Sequence, residues 1–130
     1  VPPLPELSPR IAGLDAARAL FACLRDATVE TVAVAYLDPN RRLLGMRHVV
    51  GGRDRVAISI RTVAVDALAF GAVGVVMAHN HPSGDATPSG RDVAFTRALA
   101  AGLRTLEVVL LDHLVIAGDE VTSLRAMGVV

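Results

Sequence analysis

The segment His79-Asn80-His81-Pro82-Ser83-Gly84-Asp85-Ala86-Thr87-Pro88-Ser89-Gly90-Arg91-Asp92 holds the densest chemistry in the chain. Two imidazoles stand two residues apart directly after an apolar run. In extended backbone, residues at i and i+2 face the same side. His79 and His81 can therefore converge on one ion while Asn80 points away. The chain then returns into a helix whose first turn carries Asp92. Two imidazoles and one carboxylate suit a borderline cation such as Zn2+, and three protein ligands leave the fourth position for water. A water held there, with its pKa lowered toward ~7, is a nucleophile at neutral pH. Hydrolysis also needs a base for that water's proton and a donor for the developing oxyanion. Glu30 is the candidate base, an acid set among Val29, Val32 and Val34 where a carboxylate needs a reason to be. Ser89, close to the ligands, is the candidate neutral donor.

Each part also has a plainer reading. Ser89-x-x-Asp92 fits a helix start, with Ser at the N-cap and an acid at N3 favoured by the helix dipole. Taken alone, that pair reads as capping. Capping and ligation are compatible, since different side-chain atoms can serve each. A lone His-x-His is commonly a surface loop pair, and a lone acid in a strand commonly faces water. The combination at this spacing is what points to a site.

The elements that must hold these residues can be read from periodicity. Residues 14–25 carry Leu14, Ala17, Leu20, Phe21 and Leu24 at helical spacing. A strand over 28–37 ends at Asp38-Pro39-Asn40, a strong turn signal, and 42–50 supplies the returning strand. Gly51-Gly52 breaks the hairpin, and 56–58 forms a short third strand. A helix over 61–70 closes at Gly71. The apolar run 73–78 reads as a strand buried on both faces, 79–88 as loop, and 89–101 as a helix. Another buried strand over 106–111 follows. Residues 114–116 and 120–123 form a hairpin across Gly118-Asp119. A mixed sheet with helices on its faces, an α/β fold, is the expected architecture. Pro2, Pro3, Pro5 and Pro9 disfavour regular structure before about Arg10, so 1–10 reads as a linker or tail and 11–130 as one domain.

At this point the residues resemble a known family. His79-x-His81-Pro82, then Ser89-x-x-Asp92, with Glu30 upstream, looks like the JAMM motif of JAB/MPN-domain metalloproteases. The fuller string HNHPSGDATPSGRD, with LDHLVIAGD further on, is similar to the RadC branch. The resemblance runs from about Thr28 to Val130. It implies zinc bound by His79, His81 and Asp92, Glu30 as general acid/base, and Ser89 stabilising the oxyanion. It also implies the α/β/α sandwich of the MPN domain, related to the cytidine-deaminase-like fold. A deaminase itself is set aside, because it needs cysteine ligands in a P-C-x-x-C signature. Cys23 is the single cysteine and lies outside any such motif. The role of His113 is open, a local hydrogen bond between two strands being the expected one.

Bulk composition bounds the remaining choices. The chain has 130 residues, 52% of them hydrophobic. That is enough for one core without disulfides. A single cysteine suits a reducing, cytoplasmic compartment. No apolar run approaches the ~18 residues needed to span a bilayer, so no membrane partner is expected. Thirteen basic residues balance thirteen acids, without the basic excess of a nucleic-acid binder. Locally, Arg41, Arg42, Arg47, Arg53, Arg55 and Arg61 fall within 21 residues holding one acid, Asp54. Such a patch can meet phosphates or an acidic partner, although a solvated arginine-rich hairpin is the plainer reading. The leading expectation is a zinc-dependent hydrolase of amide bonds, a peptidase or isopeptidase acting on a peptide or protein. The alternative is a nucleic-acid-associated module of the DNA repair or recombination type that the RadC resemblance implies. Oligomeric state is open.

Overall fold

The computed structural model describes residues 10–11, 13–51 and 58–130. Helix α1 (Leu14–Leu20) is followed by a single 3-10 turn over Ala22–Leu24. Strands β1 (Thr31–Leu37) and β2 (Leu43–Val50) form a hairpin. Helix α2 (Ile60–Phe70), strand β3 (Gly74–Asn80), helix α3 (Gly90–Arg104) and strands β4 (Val109–Ala117) and β5 (Glu120–Ser123) complete the fold. The five strands make one sheet in the order β2-β1-β3-β4-β5. The β3–β4 pair is parallel, with α3 as its crossover, and every other pair is antiparallel, so the sheet is mixed.

Two cores lie on opposite faces of this sheet. Val32, Val34 and Tyr36 of β1 pack with Val75 and Met77 of β3 against Val63 and Ala67 of α2 and Leu99 and Leu103 of α3. The alternate residues Ala33, Ala35 and Leu37 pack with Val76 and Ala78 against Ala17, Phe21 and Leu24. Period-2 alternation thus feeds two helical layers, and the expected α/β sandwich with a mixed sheet is what forms.

Local signals explain the element ends. Asp38 Oδ1 accepts from the N–H groups of Asn40 (2.8 Å) and Arg42 (2.9 Å). These bonds close the β1–β2 turn. Ser59 caps α2 by accepting from Thr62 N–H, and Gly71 ends it with φ of 67°. Both are the residue types that helix ends favour. Several boundaries differ from expectation. The first helix stops at Leu20, yet Phe21 and Leu24 stay buried through the 3-10 turn. Strand β3 runs past its expected end to include His79 and Asn80, because their side chains find hydrogen-bond partners inside the fold. The strands expected at 106–111 and 114–116 are one strand, β4. Asp112 interrupts the apolar pattern but still pairs with Val76, and its Oδ1 accepts from His113 N–H at 2.7 Å. Of the expected third strand, Val56 and Ala57 lie outside the described residues, and Ile58 is in no strand.

Strand β4 contains a bulge. Val75 pairs with Leu110 and Val76 with Asp112, so Leu111 is an extra residue. Leu110 faces the α2–α3 layer, whereas Leu114 and Ile116 face the α1 layer. The inserted residue reverses the parity of the strand and turns His113 toward α3.

Candidate metal centre

The two histidines leave the end of β3 on the side of α3, and their Nε2 atoms lie 2.9 Å apart. Asp92, in the first turn of α3, brings Oδ2 to 3.5 Å from His79 Nε2 and 3.3 Å from His81 Nε2. One ligand atom each from Glu30, His79 and His81 also lies within 4.8 Å of the others. These donors could hold a metal ion. In a tetrahedral zinc site with bonds of about 2.0–2.1 Å, ligand atoms stand about 3.3 Å apart. The His79–His81–Asp92 triangle is close to that spacing on every side, so these residues fit such an ion. His81 Nδ1 donates to the Asp85 carbonyl at 2.9 Å. Its Nε2 is left as a lone pair toward the other donors.

Asp92 is held in place by a reciprocal capping box. Its N–H donates to Ser89 Oγ at 3.0 Å, and its Oδ2 accepts from Ser89 N–H at 2.8 Å. The capping oxygen is therefore the same Oδ2 that faces the histidines. A carboxylate oxygen has lone pairs for both. Burial opposes ionisation of Asp92, but its carboxyl is held far below the usual range, with the Ser89 N–H donating to its Oδ2.

Glu30 lies just outside the strand expected to contain it. It stands one residue before β1 and is half-buried, with its carbonyl accepting from Gly51 N–H at 2.7 Å. Asn80 fixes this position. Its Oδ1 accepts from Thr31 N–H at 2.6 Å, and its Nδ2 donates to the carbonyls of Val29 and Ala27, each at 3.1 Å. Successive residues of β3 thus serve opposite faces of the sheet. His79 looks toward α3, while Asn80 grips the backbone on both sides of Glu30. Glu30, His81, Ser83, Ser89, Arg91 and Asp92 line a cleft of about 500 Å³.

Sequence reading missed Asn80, Thr96 and Arg91, and assigned His113 no role at the site. His113 is 3% exposed, and its Nε2 lies 2.7 Å from His79 Nδ1. Its Nδ1 lies 2.6 Å from Thr96 Oγ1, which in turn donates to the Asp92 carbonyl at 2.6 Å. Burial pushes the pKa of His113 well down, and neither ring nitrogen meets a carboxylate. Thr96 was legible in principle, four residues after Asp92 and so on the same helix face.

The arginine patch is only partly assembled. Arg47 forms a two-pronged pair with Asp66, at 2.5 and 2.9 Å, and Asp66 also accepts from Tyr36 Oη at 2.8 Å. Its charge is thereby matched by an acid of α2. Arg41 and Arg61 are exposed and Arg42 is half-buried; Arg53 and Arg55 lie outside the described residues. No described helix is long and apolar enough to cross a membrane.

Comparison with known proteins agrees with the expected family resemblance. The UPF0758 protein of Acidithiobacillus ferrooxidans is 40% identical over 110 residues, covering 84% of this chain and 49% of that protein. One from Cupriavidus taiwanensis is 41% identical over 96 residues, covering 73% and 42%, respectively. One from Cellvibrio japonicus is 40% identical over 110 residues, covering 84% and 49%. The chain spans about half the length of these relatives. The family described as "RadC-like JAB domain" matches residues 12–129, nearly the whole chain, and the chain belongs to that family.

Proposed function

We propose that this domain is a zinc-dependent hydrolase of amide bonds, a peptidase or isopeptidase. The observation that carries the reading is the donor triangle of His79, His81 and Asp92, with sides of 2.9, 3.3 and 3.5 Å, set beside the half-buried Glu30. Zn2+ held by these three residues supplies Lewis acidity and makes water a nucleophile at neutral pH. The remaining work falls to the chain. Glu30 takes a proton from the attacking water and returns it to the leaving amine, as a general base and then a general acid. Asn80 keeps the Glu30 backbone at a fixed distance from the histidines. Ser89 Oγ accepts the Asp92 N–H with a lone pair, so its own proton remains available to a developing oxyanion. The cleft of about 500 Å³, with Arg91 at its wall, is of a size that takes a few residues of a peptide.

The first test is metal content by elemental analysis of chelator-free protein, beside the double variant His79→Ala/His81→Ala. About one zinc per chain, lost in the variant, is the expected result, followed by cleavage in a panel of peptides and isopeptides. Wild-type protein that takes up no zinc when it is added back would sink the assignment.

A further inference from the structure

We infer that Thr96 and His113 are positioning residues for the metal centre: together they lock His79 into the tautomer that presents a bare Nε2 to the ion. The inference rests on the zinc reading above and extends it to residues that touch no metal.

The argument follows the direction of each proton. The Asp92 carbonyl oxygen can only accept, so at 2.6 Å the Thr96 hydroxyl proton points to it. With that proton committed, Thr96 Oγ1 meets His113 Nδ1 as an acceptor at 2.6 Å, and Nδ1 carries the hydrogen. His113 is buried with only a hydroxyl and an imidazole on its two nitrogens and no carboxylate to balance a charge, so it is neutral with one N–H, and its Nε2 is a lone pair. It faces His79 Nδ1 at 2.7 Å and obliges that nitrogen to be the donor. His79 Nε2 is then left without a hydrogen. The same holds for His81, whose Nδ1–H goes to the Asp85 carbonyl. Two bare nitrogens facing each other at 2.9 Å repel unless a positive centre sits between them. The chain of bonds therefore prepares a cation site from within the fold.

The path also ties separate elements together. It starts at the backbone of Asp92 in α3, passes through β4, and ends at β3, so one ligand residue fixes the tautomer of another. The Leu111 bulge is what brings His113 into the path. Ordinary metal sites orient a ligating histidine by a carbonyl or carboxylate acceptor. Here a second histidine does so, and its polarity is set by one hydroxyl.

Thr96→Val removes that hydroxyl at nearly constant volume and frees His113 to carry its hydrogen on Nε2, where it opposes the hydrogen on His79 Nδ1. Zinc affinity, read by competition with a chromophoric chelator, should fall roughly 10–100-fold, the usual cost of losing an outer partner. Thr96→Ser should restore it to near the wild-type value. In metal-free wild-type protein, long-range 1H–15N spectra of the imidazoles should show the hydrogen on Nδ1 of both His79 and His113, a readout that needs no variant to fold. Wild-type affinity in Thr96→Val, equal losses in Val and Ser variants, or a hydrogen on Nε2 of either ring would overturn the inference while leaving the zinc reading intact. Absence of zinc binding in the wild type would overturn both.

Discussion

In the proposed reaction Glu30 is the residue that moves the proton. One of its carboxylate oxygens lies within 4.8 Å of a ring nitrogen of each histidine, and its backbone is held by Gly51 N–H. Glu30→Gln keeps size and polarity but cannot take a proton. Such a variant should keep its zinc and lose turnover by roughly 10²–10⁴-fold, measured as single-peptide hydrolysis alongside metal content. In the proposed reaction Ser89 would combine its capping with a second task, and substitution can separate the two. Ser89→Ala should cost about 1 kcal/mol of stability through the lost cap. Ser89→Asp should retain the cap, since Asp is as good an N-cap residue, and still lose activity because it has no proton for an oxyanion. Equal activity in Ser89→Asp and the parent would remove Ser89 from the reaction.

Among the elements, α2 is the one that clamps the hairpin. Its Asp66 accepts from Arg47 of β2 and from Tyr36 of β1, joining both strands to a helix. The Arg47 guanidinium holds the Asp66 carboxyl below its ordinary value, against the opposing effect of burial, and the Tyr36 hydroxyl adds to the lowering. A carboxyl with a depressed folded-state pKa contributes stability that is complete above its unfolded value of about 3.9 and is lost as pH falls through the folded value. Urea denaturation between pH 7 and pH 2 should show the parent losing more stability than Asp66→Asn, with the two curves converging in acid. The C-terminal end of α2 depends on Gly71, whose φ of 67° lies in the left-handed region. That conformation favours glycine over any residue with a Cβ. No atom lies within 4 Å of an added Cβ, so Gly71→Ala tests backbone strain without a clash. About 1 kcal/mol of destabilisation is expected from thermal unfolding.

For the molecule as a whole, the site joins β3 to α3 and, through His113, to β4. An ion bound there adds a bridge across elements that the chain itself connects by packing and hydrogen bonds. Zinc at a hundred times its Kd should therefore stabilise the fold by about 2.7 kcal/mol. At roughly 4 °C per kcal/mol for a domain of this size, calorimetry should show a clear rise in Tm that is reversed by a chelator. The His79→Ala/His81→Ala variant should show no such rise. Charge over the chain balances, thirteen acids against thirteen basic residues, and Arg47 of the arginine-rich hairpin is matched by Asp66. How far such a site could be foreseen varies with the distance over which its parts communicate. His79, His81, Ser89 and Asp92 were legible because they sit within fourteen residues, where strand and helix periodicity alone decide which side chains meet. The two-faced burial of β3 was equally legible from its apolar run. What lay beyond that reach was the work of tertiary pairing. Asn80 reaches Thr31, 49 residues upstream and next to Glu30, only because β1 and β3 are neighbours in the sheet. His113 meets His79 only because one extra residue, Leu111, reverses the parity of β4, an event that no pattern of hydrophobic residues announces. Local spacing determined the donors; strand pairing and a single bulge decided which side chains hold them.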